Sequence, residues 1–271
     1  MRTSLILAAL AITVTPVLSD TIEDRLGTTA LYDPTIEYVP ADGVVRLFGA
    51  GGPHTAFAKV ARAFEEETGN RVEIVAGPED RWSAQAQAQA DILWGTSQQS
   101  MAAFLLTYTA FELNEVRPVY LRPAVIAVKA GNPKNIRGFD DLLAEGVRIV
   151  VTEGAGVYNT SGTGVWEDVA GRLGKLEDLQ GFKNNIVSYA LGSGASYREF
   201  ERSKVDAWIT WPNWPATKED LEMVELEPER SIYRDVNVVL SPKADPEAEQ
   251  FLDFLVSAEA RKLMASEGWV R

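Results

Sequence analysis

The segment from Val44 to Phe57 constrains the fold of this chain most strongly, because it combines a strand, a glycine turn and a helix start. Val44 to Phe48 is a short run of β-forming residues. Glycines at three of the next four positions allow positive φ and a close approach of the backbone to a bound molecule. Pro53 suits a first helical turn. The helix that follows has apolar residues at the i, i+3, i+4, i+7 spacing, namely Phe57, Val60, Ala61 and Phe64.

A helix that starts at the edge of a sheet offers free backbone N–H groups and a partial positive charge, which together suit an anion. The same order of strand, small polar loop and helix recurs at two further places, with loops at Gly95–Ser100 and Thr152–Gly164. Because open α/β sheets bind ligands at the carboxyl ends of their strands, we expect the three loops to face one cleft. An ordinary βα turn with no bound molecule is the alternative for each loop.

The length of 271 residues is enough for two α/β lobes, each with its own core. Residues 1–19 have the pattern of a secretory signal peptide, with Arg2 before an apolar stretch and small residues before Asp20. The apolar stretch is too short to span a bilayer, although a membrane anchor is the alternative. We therefore expect a soluble protein exported to the periplasm.

The chain has no cysteine and one histidine, His54. This excludes disulfides, thiol catalysis and thiolate metal sites, and it weakens any Ser-His-Asp scheme. An exported hydrolase is the enzymatic alternative, but the sequence lacks a Gly-x-Ser-x-Gly motif. We expect no cofactor, no metal site and no enzymatic activity.

The formal net charge is −13, which argues against nucleic acid or an anionic membrane as a partner. A small anion is still compatible with this charge, because its binding depends on local N–H groups and dipoles.

The order of elements resembles that of type II periplasmic solute-binding proteins, the group that includes molybdate and sulfate binders. Arg122–Pro133 resembles their first crossing between lobes, and Ser196–Thr210 resembles the helix and strand before the second crossing. Phe251–Trp269, with its final Glu-Gly-Trp, resembles their closing helices. The resemblance implies two lobes, each a mostly parallel sheet flanked by helices, joined by a two-strand hinge with a ligand cleft between them. Lobe 1 would contain residues 20–130 and 238–271, and lobe 2 residues 131–237.

Two strings, Gly51–Ala56 and Ala90–Ser100, are similar to the AcfC-type accessory colonization factors, which are periplasmic binding domains. Pro53 and His54 stand where the molybdate binders have small hydroxyl residues. The string Trp211–Trp214 has no close match in those binders, so the resemblance does not point to molybdate itself.

The predicted site combines backbone amides, hydroxyl donors and aromatic walls, since hydrogen bonds to a charged group contribute on the order of 1.5–3 kcal/mol each. Arg122 would pair with the anion, or would be an ordinary surface arginine. His54 would donate to an oxygen, better when protonated below about pH 6.5, or would only cap its turn. Asn213 stands between two tryptophans, where a polar amide needs a hydrogen-bond partner. The predicted ligand-binding residues are Gly51, Gly52, His54, Thr55, Trp82, Gly95, Thr96, Ser97, Gln98, Arg122, Tyr158, Asn159, Thr160, Ser161, Gly162, Thr163, Trp211, Asn213 and Trp214.

The aromatic members of this set would either wall the cleft or pack in the core. If they wall the cleft, they favour an organic sulfonate or carboxylate over an inorganic oxyanion such as sulfate. We expect a monomer that presents the anion to an ABC permease or to a sensor. A ligand-sensing partner of a receptor, or a colonization factor without a transport role, is the alternative.

Overall fold

The computed structural model describes residues 31–154, 162–202 and 204–271, so the predicted signal peptide lies outside the described residues. The strands form two five-stranded sheets, A and B, in the part of the chain that is described. Sheet A and its helices come from both ends of the chain: β1 Val44–Gly49, α1 His54–Thr68, β2 Arg71–Ala76, α2 Ser83–Gln89, β3 Ile92–Gly95, α3 Gln98–Thr107, β4 Arg117–Pro123, then β10 Tyr233–Leu240, α8 Pro246–Leu255 and α9 Ala258–Ala265.

Sheet B and its helices come from the middle of the chain. They are β5 Val125–Lys129, β6 Ile149–Glu153, α4 Val165–Ala170, α5 Leu176–Asn184, β7 Ile186–Leu191, α6 Ser193–Arg202, β8 Ala207–Thr210, α7 Asn213–Thr217 and β9 Leu221–Glu225. Short 3-10 turns lie between several of these elements, including Asp140–Leu143, where the sequence predicts a short helix.

The strand order is β2-β1-β3-β10-β4 in sheet A and β7-β6-β8-β5-β9 in sheet B. Four strands of each sheet run in the same direction, and one strand runs against them. The reversed strands are β10 and β5, and each is the strand that the chain enters directly after crossing between the sheets. The predicted two-lobe α/β fold is confirmed, and each sheet is mixed, with one strand antiparallel to the other four.

The crossings differ from the predicted lobe boundaries. The continuous apolar run Tyr120–Val128 predicts one long buried strand from its sequence alone. In the structure it forms the end of β4 and most of β5, in different sheets. The first crossing therefore lies at Ala124 rather than at residue 130. Since β10 lies wholly in sheet A, the second crossing ends before Tyr233 rather than at residue 237. The N–H of Ala124 donates to the carbonyl of Ile232 at 2.9 Å, so the two crossings are hydrogen-bonded to each other.

Helix α1 shows why the N-terminal part of the fold follows the sequence pattern. Its apolar face buries Phe57, Val60 and Phe64 against sheet A and helix α8, as the spacing predicts. Each such side chain contributes roughly 1.5–3 kcal/mol when fully buried. The helix ends at Gly69, which adopts the left-handed conformation (φ 77°) that glycine tolerates best. Across the described ranges, no helix has both the length and the apolarity that a membrane span needs.

Candidate functional site

Two of the three predicted loops meet at the carboxyl edge of sheet A. A Cβ built on Gly52, in the loop after β1, would lie 3.3 Å from Cγ2 of Thr96, in the loop after β3. The same Cβ would lie 3.5 Å from Nη1 of Arg122, at the end of β4. Gly52 has φ +118°, a conformation that other residues rarely adopt. The loops after β1 and β3 and the end of β4 therefore form one surface.

The indole of Trp94 fixes the loop after β1 from below. Its Nε1 donates to the carbonyl of Ala50 at 2.8 Å, and a Cβ on Gly49 would overlap its ring. Gly95 is constrained in the same way, since a Cβ there would lie 2.6 Å from Oδ1 of Asn237. These glycines are required by close packing beneath the loops. Gly51, in contrast, is exposed with open space around its Cβ position.

Arg122 lies where the two lobes meet, and it is 2% exposed. Its Nη1 donates to Oδ1 of Asn213 at 3.3 Å. Its guanidinium carbon lies 4.4 Å from the ring centroid of Trp211 and 5.0 Å from that of Trp269. Trp211 and Asn213 follow β8 of sheet B, whereas Trp269 follows the last helix beside sheet A. A buried cation is thus held between residues of both lobes.

Burial dominates the electrostatics of Arg122. It lowers the pKa of the guanidinium to about 9, while the charge of Asp235 opposes this shift and that of Arg234 adds to it. The group is still a cation at neutral pH. Because a desolvated charge gains from an opposite charge placed beside it, this position favours an anion. The fork of a guanidinium fits carboxylate and phosphate oxygens in particular.

Thr55 already has a partner within the protein. Its hydroxyl donates to the carboxylate of Glu267, whose other oxygen lies 2.7 Å from Nζ of Lys59. The predicted role of Thr55 as a ligand donor would require this contact to break. The Thr55–Glu267 contact instead fastens the first turn of α1 to the C-terminal segment.

The loop after β3 is also closed by internal hydrogen bonds. The N–H groups of Thr96 and Ser97 donate to Oγ of Ser100 at 3.0 and 3.1 Å, and Oγ of Ser97 accepts from the N–H of Ser100 at 3.2 Å. This is a reciprocal cap at the start of α3. Gln98, the first residue of that helix, is exposed. Because the N–H groups of Thr96 and Ser97 already have an acceptor, the side chain of Arg122 is the positive group at this edge of sheet A.

His54 caps its own turn. The N–H of Gly52 donates to Nδ1 of His54 at 3.3 Å, so Nε2 carries the proton of the neutral ring. Burial lowers the pKa of His54, and the charge of Glu267 opposes this shift less strongly. The ring is therefore neutral at pH 7, which matches the turn-capping alternative.

Two of the predicted cleft aromatics pack elsewhere. Trp82 is buried in the core of lobe 1, where its ring stacks on Tyr108 and its Nε1 donates to the carbonyl of Gly77 at 3.0 Å. Trp214 is half-buried and stacks on Tyr197, on the side of sheet B that carries α6. These contacts give both rings packing roles, so of the predicted tryptophans Trp211 is the one beside Arg122.

The third predicted loop follows β6. Tyr158, Asn159, Thr160 and Ser161 lie outside the described residues. Gly162 is buried, and a Cβ there would lie 2.8 Å from Oγ of Ser193, while Thr163 is half-buried. At the start of the loop, the hydroxyl of Thr152 is 2.7 Å from that of Ser196 and accepts from Nε1 of Trp208 at 3.1 Å.

The sequence reasoning missed Trp269 and Asp235. Trp269 belongs to the final Glu-Gly-Trp string, which was noted only as part of a family resemblance. Asp235 lies on β10, and its proximity to Arg122 depends on the pairing of β10 with β4, where Arg234 lies opposite Arg122. No local pattern indicates either contact.

Residues 45–270 match the family model described as bacterial extracellular solute-binding protein. This chain belongs to the bacterial extracellular solute-binding proteins. Its type II periplasmic-binding fold agrees with the geometry above, in which residues of two sheets meet at Arg122. A comparison with curated proteins gives no match.

Several solved structures resemble this solute-binding protein. PEB3 bound to L-phospholactate is 39% identical, with a TM-score of 0.78, covering 84% of this chain and 99% of that chain. PEB3 from Campylobacter jejuni is also 39% identical, with a TM-score of 0.77 and the same coverage. The periplasmic molybdate-binding protein of Azotobacter vinelandii is 16% identical, with a TM-score of 0.60, covering 84% of this chain and 99% of that chain. At that identity the last likeness shows the fold alone.

Proposed function

We propose that this solute-binding protein captures a small organic anion that carries a phosphate, sulfonate or carboxylate group, and that Arg122 is its main anchor. The observation that carries the proposal is the position of the guanidinium, buried where the lobes meet and in contact with both Trp211 and Trp269. A cation in this place offers an anion one strong charged contact from a site that excludes water.

The surroundings of Arg122 favour an organic anion over a bare inorganic one. Trp211 and Trp269 lie over the guanidinium, so an anion would contact it at its edges, where the fork matches two oxygens. The indole rings offer apolar surface to the carbon atoms of a guest. PEB3, a relative at 39% identity, is described as bound to L-phospholactate, which carries a phosphate and a carboxylate. An inorganic oxyanion such as sulfate is the second candidate.

After capture, the anion would be enclosed by the two lobes and presented to a partner protein. We expect the lobes to close around the anion by a hinge at the two crossings. The protein would act as a monomer in the periplasm and present its ligand to an ABC permease or to a sensor. A sensing role without transport, like that expected of an AcfC-type colonization factor, has the same binding site and stays a prediction.

Titration calorimetry and thermal shift measurements on the purified protein test the proposal. The panel is L-phospholactate, sulfate, molybdate, phosphate, simple sulfonates and simple carboxylates. We expect at least one organic anion to bind, and we expect Arg122→Gln to weaken that binding about 100-fold or more, by the loss of a charge-assisted bidentate contact.

Arg71→Gln is the matched control, because Arg71 is an exposed arginine on β2, at the edge of sheet A, and forms an ion pair with Glu73 of the same strand. We expect this variant to bind like the unmodified protein. Absence of heat and of a thermal shift with every anion in the panel would refute the proposal.

A further inference from the structure

The C-terminal segment Glu267–Val270 is built into the boundary between the lobes. Val270 and Leu121 exchange backbone hydrogen bonds of 2.8 and 2.7 Å, one residue from Arg122. Gly268 has φ +81°, and a Cβ there would overlap the ring of Pro212. The segment therefore contacts both β4 of lobe 1 and the loop after β8 of lobe 2, and it brings Trp269 onto Arg122.

Six of the seven indole N–H groups of this protein fall into two classes. Those of Trp82, Trp94, Trp166 and Trp208 each donate to an acceptor of the protein. Those of Trp211 and Trp269 are buried, and among the described residues neither has a hydrogen-bond acceptor. Both residues are 1% exposed, and both are the ones that flank Arg122.

Buried donors without an acceptor are costly, and native proteins contain few of them. Two such donors beside one cation are therefore a feature that requires an explanation. An oxyanion beside Arg122 supplies it, because its oxygens accept hydrogen bonds and carry the opposite charge. Packing of the two cores alone would be served by phenylalanine at both positions.

We propose that the indole N–H of Trp269 donates to an oxygen of the bound anion, so that the C-terminus of the chain supplies a specificity-determining residue. This inference rests on the proposed function, because it needs an anion at Arg122. Trp211 contributes the corresponding donor from lobe 2. An anion held in this way is bonded by one lobe through Trp269 and by the other through Trp211, with Arg122 between them.

Trp269→Phe is the decisive variant, since it keeps an aromatic ring over Arg122 and removes only the N–H and part of the ring area. Calorimetry with L-phospholactate and with sodium sulfate gives the readout. For the anion that the unmodified protein binds, we expect the variant to bind roughly 10- to 100-fold more weakly, the range for a lost hydrogen bond to a charged group.

Trp82→Phe is the matched control, because it removes an indole N–H in the core of lobe 1. We expect its affinity to equal that of the unmodified protein. If Trp269→Phe also binds with unchanged affinity, the N–H does not touch the anion and the inference is wrong. If the unmodified protein binds no anion at all, the proposed function has failed instead, so the two failures are distinct.

A second measurement covers the case in which Trp269→Phe folds poorly. In a proton–nitrogen correlation spectrum of the unmodified protein, each indole N–H gives a separate signal. We expect the signals of Trp211 and Trp269, assigned by sequential assignment of the isotope-labelled unmodified protein, to move downfield when the anion is added. If the Trp269 signal keeps its position while the anion binds, the inference is overturned.

Discussion

Two arginines of this protein, Arg230 and Arg122, are buried to a similar extent but contact different kinds of groups. Arg230 is 3% exposed and stacks over Phe139 at 3.9 Å. Its Nη2 forms an ion pair with the carboxylate of Asp178, and its Nη1 donates to the carbonyls of Val169 and Ala170 at 3.2 and 3.4 Å. Every one of these contacts lies within lobe 2. Arg230 thus stabilises the last turn of α4 and links it to α5.

Arg122 is equally buried and also lies against aromatic rings, but the polar group that its guanidinium contacts is of a different kind. Its neighbours include a neutral amide, Asn213, and two indoles, and they come from both lobes. The charge of Asp235 only modulates its pKa. Burial and ring stacking alone therefore do not distinguish Arg230 from Arg122, for which we propose a role in binding. The two differ in that the contacts of Arg230 lie within one lobe, whereas Arg122 contacts residues of both lobes.

The largest expected effect concerns stability. Arg230→Met leaves Asp178 and the carbonyls at the end of α4 without their donor, and we expect it to lower the free energy of unfolding by about 3–5 kcal/mol. Arg122→Met removes a cation whose burial is itself costly, and we expect a smaller loss of stability in the absence of ligand. Chemical denaturation of both variants measures the difference. Equal losses would erase the distinction between the two arginines.

The second prediction concerns binding and separates charge from shape at Arg122. Arg122→Lys keeps the positive charge but loses the planar fork and its stacking on two rings. We expect the affinity for the anion to fall about tenfold or more, less than for a neutral replacement. Calorimetry on the purified variant provides the measurement. An unchanged affinity would mean that Arg122 acts only as a distant charge.

The elements of the fold that could be predicted from the sequence are those that local residue patterns determine. Helix α1 and the first three strands follow local patterns, because periodic apolar residues and glycine stops determine them. The break between β4 and β5 was missed, because the apolar run through Ala124 has no local signal for a change of sheet. Elements α5, β7 and β9 were also not predicted.

For the candidate site, local patterns predicted Arg122 and Asn213 but not the hydrogen bond that joins them or the indoles beside Arg122. Trp82 and Trp211 both follow strands and both were expected at the cleft, yet Trp82 is buried by Tyr108, a residue from a later helix end. Trp269 lies 147 positions after Arg122, and only the folded chain brings them together. Long-range packing therefore decided which aromatic residues reach the site.

A third, smaller effect tests whether both lobes must meet at Arg122. Gly268→Ala would place a methyl group against Pro212 of the other lobe, so we expect it to hold the lobes apart and to weaken anion binding roughly tenfold. Small-angle scattering with ligand would show a larger radius of gyration than for the unmodified protein. Gly174→Ala is the control, since Gly174 has a similar φ of +67° but open space around its Cβ position. If both variants bind equally well, the Gly268–Pro212 contact has no part in closure.

The smallest expected effect concerns the pH dependence of anion binding and the protonation of His54, at the start of α1. Because the pKa of His54 is lowered by burial, its ring is neutral above pH 6.5, and we expect the affinity to stay constant between pH 6.5 and 8. Burial also lowers the pKa of Arg122, but a guanidinium keeps its proton throughout this range, so Arg122 adds no pH dependence of its own. His54→Gln should keep this profile within about twofold, as expected for a residue whose Nδ1 only accepts from Gly52. Calorimetry across this pH range measures both variants. An affinity that rises below pH 6.5 in the unmodified protein, but not in His54→Gln, would show that protonated His54 shares with Arg122 the role of holding the anion.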